Sequence, residues 1–163
     1  MKIRGLIDED IVNYKKCSMY IAFPNCSFKC GKEICQNSEL YLSPIIELTP
    51  EKICRRYVDN PLTEAVVLGG LEPFDSPFDL LDFINCLRYK YKSDDDIVIY
   101  TGYTEEELKE TGDLKLRVLY SNICKYHDVI IKFGRYIPGY EPHFDEVLGV
   151  NLASDNQYGK KVS

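Results

Sequence analysis

The chain has 163 residues, and its 26 Asp and Glu outnumber its 20 Lys and Arg for a formal charge of −6. That balance argues against a broad nucleic-acid surface, and the length suits a single domain, 1–163, with a substantial core. No apolar run approaches the roughly 20 residues that span a bilayer, and Asp8, Glu9 and Asp10 stand where a signal peptide needs apolar residues; the expectation is a cytoplasmic protein, off the membrane, whose seven cysteines are thiols or ligands rather than disulfides.

A polar lead-in ending in Lys15 and Lys16 precedes a first predicted strand over 17–23, where Met19, Tyr20, Ile21, Ala22 and Phe23 form an apolar run. Cys17 at its start reads as a small core side chain. Pro24 and Asn25 break the strand. Cys26, Cys30 and Cys35 then fall within ten residues, on a polar loop that runs on through Gln36 and Asn37. Close thiols on such a loop suit a thiophilic metal or cluster better than a packed core. Two other readings stand beside that one: three ordinary cysteines, or a zinc loop short of its fourth ligand. Lys29 and Lys32 read as surface lysines.

Thr49, Pro50 and Glu51 open a helix, with threonine as N-cap and proline in the first turn. Ile53, Cys54, Tyr57 and Val58 share one of its faces, which makes Cys54 a core residue. A short strand over 64–68 is halted by Gly69 and Gly70. Ser76 and Pro77 start a second helix in which Leu80, Leu81, Ile84, Leu87 and Tyr91 recur at helical spacing, with Cys86 as another structural thiol. Asp94, Asp95 and Asp96 read as a solvated turn. A third strand over 97–100 ends in Thr101-Gly102-Tyr103, and Thr104 with Glu107 makes a capping box for a short helix. A further helix covers 114–124 and a fourth strand 128–133. The stretch 134–143 is long enough for a functional loop and a contact surface for a large partner. A last short strand over 148–152 leads into Ser154, Asp155, Asn156 and Gln157. His127 and His143 sit at no zinc-finger spacing from the thiols and read as structural or exposed.

Strands alternating with helices imply parallel pairing and right-handed crossovers. Roughly four to five such units are too few for a closed eight-stranded barrel. The expected fold is therefore α/β, an open sheet or a partial β/α barrel of mainly parallel strands. Ligands in such folds gather at the carboxyl ends of the strands. Three features fall there: the thiols, Gly69-Gly70-Leu71-Glu72, and Thr101-Gly102-Tyr103.

Phe23-Pro24-Asn25-Cys26, with Cys30, Cys35 and Gln36-Asn37, resembles the cluster loop of radical S-adenosylmethionine (SAM) enzymes. Gly69-Gly70-Leu71-Glu72-Pro73-Phe74 resembles a Gly-Gly-Glu-Pro segment of the same superfamily. Tyr100-Thr101-Gly102-Tyr103 resembles a Tyr-Thr-Gly-Tyr segment, and Ser154-Asp155-Asn156-Gln157 a C-terminal Ser-x-Asn-Gln. In order and approximate spacing, the four are most similar to the activating proteins of anaerobic ribonucleoside-triphosphate reductase. Three departures stand out: four residues separate Cys30 from Cys35 where the family has two, Ile34 replaces a common aromatic that contacts adenine, and Leu71 is inserted before Glu72.

The resemblance implies a radical SAM fold and an oxidoreductase that activates a glycyl-radical enzyme. One [4Fe-4S] cluster would sit on Cys26, Cys30 and Cys35, leaving an iron open for the amino and carboxylate groups of SAM. Reductive cleavage of the sulfonium would give methionine and a 5′-deoxyadenosyl radical, which takes hydrogen from a glycine of the large reductase. The resemblance also implies backbone contacts from Gly69 and Gly70 to the methionine moiety and a place for Glu72 near its ammonium. It puts Thr101 and Tyr103 in the SAM pocket, gives Ser154, Asn156 and Gln157 the ribose and carboxylate, and names a flavodoxin as the usual electron donor. Activation of another glycyl-radical enzyme is the close alternative. A zinc-binding adaptor, with Cys17 or Cys54 completing a four-thiolate site, is the alternative from a different class.

Overall fold

Four apolar runs make the centre of the protein, each returned to the start of the next by a helical crossover. The computed structural model describes residues 1–163 and begins with β1 (Lys2–Ile3) and β2 (Gly5–Asp10) before the first of these runs, β3 (Ser18–Phe23). The short β4 (Ile46–Glu47) precedes α1 (Pro50–Val58), where the Thr49 side chain accepts from Lys52 N as N-cap. Next come β5 (Ala65–Gly70), α2 (Pro77–Asn85) and β6 (Asp96–Tyr100). α3 (Glu105–Glu110) starts at the capping box of Thr104 and Glu107. α4 (Leu114–Ile123), β7 (Val129–Phe133), β8 (His143–Asp145), β9 (Val150–Leu152) and β10 (Tyr158–Lys161) complete the chain.

β3, β5, β6 and β7 lie side by side in parallel and in chain order. Antiparallel β2 and β10 form the two open edges. Right-handed crossovers that always step the same way put every helix on one face. There Met19, Ile21, Val66, Leu68, Ile97, Ile99 and Ile131 alternate onto Ile53, Leu80, Phe83, Ile84, Leu108 and Ile123, within a cluster of 25 buried residues. The opposite face carries a smaller core, in which Ala65, Val67, Val98 and Ile130 meet Tyr14, Leu148 and Leu152. Its cover is the segment after β2 together with the β8–β9 ribbon. The protein is thus mixed α/β with a mainly parallel central sheet. No helix is long and apolar enough to cross a membrane.

Several expectations shift. The acidic lead-in is the edge strand β2, whose Asp8, Glu9 and Asp10 suit a position where further pairing must be discouraged. Gly69 and Gly70 do not halt β5 but end it in register, opposite Ala22 and Phe23. The expected strand over 148–152 is β9, which pairs with β8 rather than the main sheet. The sheet position next to β7 goes to β10, which lacks apolar alternation. Past Asn85 the second helix continues as a π-helical turn, Cys86–Lys90, that buries Cys86 and Arg88. The aspartate run is not merely solvated: Tyr57 Oη donates to Asp95 (2.7 Å), and Asp96 accepts from Tyr14 Oη (3.0 Å) and pairs with Lys16 (2.5 Å).

Candidate functional site

Gly70 has φ +87°, and a Cβ there would lie 2.7 Å from Ala22 Cα, so only glycine lets the chain leave β5 while packed on β3. Beyond the paired strands the two chains remain stitched. Leu71 N donates to Phe23 O (3.3 Å) and Glu72 N to Asn25 O (2.8 Å). Asn25 Nδ2 donates to Ser76 Oγ (3.0 Å) and Ser27 N to Asp75 Oδ2 (2.6 Å). At the far end of the cysteine loop, Asn37 Nδ2 donates to Gly70 O (2.8 Å). Both ends of the loop are therefore fixed to the segment that leaves β5.

Cys26, Cys30 and Cys35 are each half-buried and border one cavity of about 330 Å³, which Gly70, Glu72 and Thr101 also line. Another wall is the second face of the sheet, through Tyr20, Tyr100 and Lys132. Phe28 N lies 3.2 Å from Cys26 Sγ as a donor. Burial pushes the Cys26 thiol up to about 11. It raises Cys30 as well, with the neighbouring Cys35 adding to the effect, so loading these thiols with metal releases protons. No three His, Cys, Asp or Glu side chains converge where a single ion would sit, as a tetrahedral zinc with Zn–S of about 2.3 Å requires. Thiolates spread around a cavity suit a cluster, in which each binds a different iron. Cys17 lies at the opposite end of β3, and Cys54 is buried in the helix-side core against Cys86. Neither is placed to serve the loop as a fourth ligand, and the soft three-thiol donor set fits an iron-sulfur cluster.

Glu72 is only 5% exposed. Its carboxylate accepts from Phe74 N (3.1 Å), Thr101 Oγ1 (2.9 Å) and Gly102 N (2.8 Å). Burial still pushes its pKa up to about 7 against those donors. The inserted Leu71 thus leaves Glu72 turned into the cavity, and Leu71 and Ile34 line the cavity themselves. Tyr103 borders a smaller recess shared with Cys26 and Cys30. Its hydroxyl donates to Asp75 Oδ1 (2.9 Å), and Lys29 Nζ lies 4.4 Å from its ring centre. Gly69 lies within β5, behind the cavity wall, where a Cβ would meet the Tyr20 ring at 3.1 Å.

The C-terminal polar motif has a different position. Ser154 is fully buried, and its Oγ accepts from Ile137 N (3.4 Å). Asn156 Nδ2 donates to Arg135 O (2.9 Å) and Gln157 Nε2 to Gly134 O (3.2 Å). Of these three only Gln157 borders the cavity. Ser154 and Asn156 instead fasten the backbone at 134–137, which supplies Gly134, Arg135 and Tyr136 to the wall. Asn156 Oδ1 is buried and has no partner. The excursion over 134–143 is therefore divided, an inner part tied to the site and an outer part bearing the exposed Tyr140.

The sequence reading gave no site role to several wall residues, among them Asn13, Tyr20, Tyr100, Lys132 and Arg135. Lys132 carried a signal, since one lysine interrupts Val129-Ile130-Ile131-Lys132-Phe133 and lysine is rarely buried without reason. A wider surface concavity of about 670 Å³ lies beside Asp8, Arg55 and Arg56. It has no thiol and a lining made almost wholly of charged and polar side chains, and Arg56 is paired with Asp8 at 2.5 Å, so it offers no comparable chemistry.

A family model described as a 4Fe-4S single cluster domain matches residues 15–149, from just before β3 through the thiols and the strand-end segments to the start of β9. No curated protein and no solved structure matches the chain. With the three-thiol cavity inside a match that spans most of its length, the chain belongs to the 4Fe-4S single cluster domain family.

Proposed function

We propose that the protein is a radical SAM activase that carries one [4Fe-4S] cluster on Cys26, Cys30 and Cys35, binds SAM in the adjoining cavity, and generates a glycyl radical on an anaerobic ribonucleoside-triphosphate reductase. One observation carries the reading: residues from three separate strand ends, the thiols after β3, Gly70 and Glu72 after β5, and Thr101 after β6, border the same cavity. When bound, the cluster would supply the electron that cleaves the SAM sulfonium. The chain's own residues orient and shield. Asn25, Ser27 and Asn37 pin the thiol loop, and the Phe28 amide donates to the Cys26 sulfur. Three donors fix Glu72, whose Oε2 holds one bond and keeps acceptor capacity for an ammonium. Leu71, Ile34, Tyr136 and Val150 line the cavity with apolar surface that excludes water. The outer part of the 134–143 excursion is the contact surface for the large partner, and a small reductant such as a flavodoxin delivers the electron in the cytoplasm.

Anaerobic reconstitution with iron and sulfide tests the reading. The expected result is a brown protein that, given strong reductant, converts SAM to methionine and 5′-deoxyadenosine, with both properties lost in Cys30→Ala. Stoichiometric zinc without iron or sulfide in anaerobically purified protein overturns it. An EPR doublet arising on a different glycyl-radical enzyme, and not on the reductase, would reassign the partner while keeping the chemistry.

A further inference from the structure

Cys54 and Cys86 belong to the helix-side core, and neither borders the cavity of the thiol loop. Two contacts fix the level of α1 against the end of the second helix: Lys90 Nζ pairs with Glu51 at 3.4 Å, and Tyr91 Oη donates to Glu51 O (3.2 Å). About one turn on from Glu51 stands Cys54, and about one turn back from Lys90 stands Cys86, where the π-helical turn begins. The two elements pass in opposite directions, and this brings the thiols within hydrogen-bonding reach of each other. Their access differs. Cys54 is fully buried, whereas Cys86 borders a surface recess of about 550 Å³ together with Glu51, Asn85, Tyr89 and Lys90. Core packing accounts for a buried cysteine. It does not call for a second thiol against the first, bordering a recess open to solutes.

We infer that Cys54 and Cys86 are a dithiol that closes to an intrachain disulfide by exchange with a small disulfide such as oxidised glutathione. Cys86, as thiolate, attacks one sulfur of the small disulfide from the recess. A mixed disulfide forms on Cys86, the original S–S bond breaks, and the departing thiolate takes up the proton that Cys86 released. The Cys54 sulfur then attacks the Cys86 sulfur, the Cys54–Cys86 bond forms, and the second small thiol leaves with the Cys54 proton. Two protein thiols are oxidised and one disulfide is reduced to two thiols. Burial, with Cys86 and Glu51 adding to it and Lys90 opposing it, raises the Cys54 thiol well above its usual range. Its attack is therefore the slow step. The product staples α1 to the end of the second helix and closes a loop, residues 54–86, that contains β5 and α2. None of this depends on the SAM reading.

Equilibration of the anaerobically reconstituted protein with mixtures of reduced and oxidised glutathione, then alkylation and tryptic mass mapping without reduction, tests this. In monomeric protein, peptides 53–55 and 57–88, which carry Cys54 and Cys86, should appear linked, in a fraction that grows with the oxidised share. The link should vanish in Cys86→Ala, and Cys54→Ala should retain glutathione on Cys86 as a lasting mixed disulfide. The urea midpoint of the closed form should lie higher than that of the reduced form by on the order of 1 M, and dithiothreitol should restore the lower value. Both peptides recovered alkylated and unlinked at the most oxidising mixture would overturn the inference. So would glutathione that stays on Cys86 of the wild type, because Cys54 then fails to displace it. A link that forms only in urea overturns it as well, since it belongs to the unfolded chain. The wild-type map decides the matter even where either variant fails to fold.

Discussion

The two faces of the central sheet are made by alternate residues of the same strands, and they hold different things. On the helix side Ile97 and Ile99 of β6 and Ile131 of β7 enter the apolar core under the helices. On the other side their neighbours Tyr100 and Lys132 face a cavity. Parallel sheets are usually covered by helices on both faces. Here every crossover steps the same way, so the helices share one face and a loop and a two-stranded ribbon cover the other. The cavity is the part of that face left uncovered, at the strand ends where the thiols are. Stability and chemistry are thus separated by side-chain parity along each strand.

Cutting into the packed face gives the largest expected effect. Phe83 of α2 is fully buried within the 25-residue cluster. Phe83→Ala should cost about 3–5 kcal/mol of unfolding free energy, read as a lower urea midpoint. A loss below about 1 kcal/mol would mean that the helix face does not carry the fold, against what burial of this kind predicts.

The packed face was also the legible one. Apolar spacing marks α1, α2, β3, β6 and β7, because burial against a helix or sheet imposes a period that survives in sequence. The thiol loop was legible for another reason: its three cysteines lie within ten residues of one loop, so their spacing is visible. The second face left no such trace. Tyr14 covers it from an irregular segment, the ribbon strands β8 and β9 are three residues each, and β10 reads Tyr-Gly-Lys-Lys. Ser154 and Asn156 act by bonding backbone 17 and 21 residues away, an interaction without periodicity. Both lie behind the backbone that forms the cavity wall and not on its lining.

A middle-sized effect is expected where charge closes the rim of the packed face. Lys109 and Lys160, with Tyr120, hold the Glu105 carboxyl down to about 2. The Tyr120 and Lys160 bonds tie α3 to α4 and to β10, while the Lys109 pair lies within α3. A carboxyl whose folded pKa lies below its ordinary value stabilises the native state when ionised. Its contribution is complete above about pH 5 and fades as pH falls toward 2. Both lysines are about half exposed, at 54% and 48%, so screening reduces the gain. Glu105→Gln should cost about 1–2 kcal/mol at pH 7 and almost nothing at pH 2, measured by chemical denaturation across that range. An equal loss at both pH values would assign the effect to packing in place of charge.

The smallest effect separates the loop cover of the second face from the helical layer. Tyr100 Oη donates to Asn13 O at 2.6 Å, and burial raises its pKa well above the usual tyrosine value, so the hydroxyl stays a donor. The same segment is held by Tyr14 Oη on Asp96 and by Lys15 N on Leu148 O. Tyr100→Phe removes one of these ties and little apolar area, which sets the global cost at about 1 kcal/mol. Its local consequence should be plainer: amides of 11–16 exchange faster with solvent, while those of α1 and α2 keep the wild-type rate apart from the small global term. That outcome would make the cover a separately opening unit over the cavity. A uniform rise across both layers would instead bind the two faces into one cooperative block, and the division by side-chain parity would then describe chemistry alone.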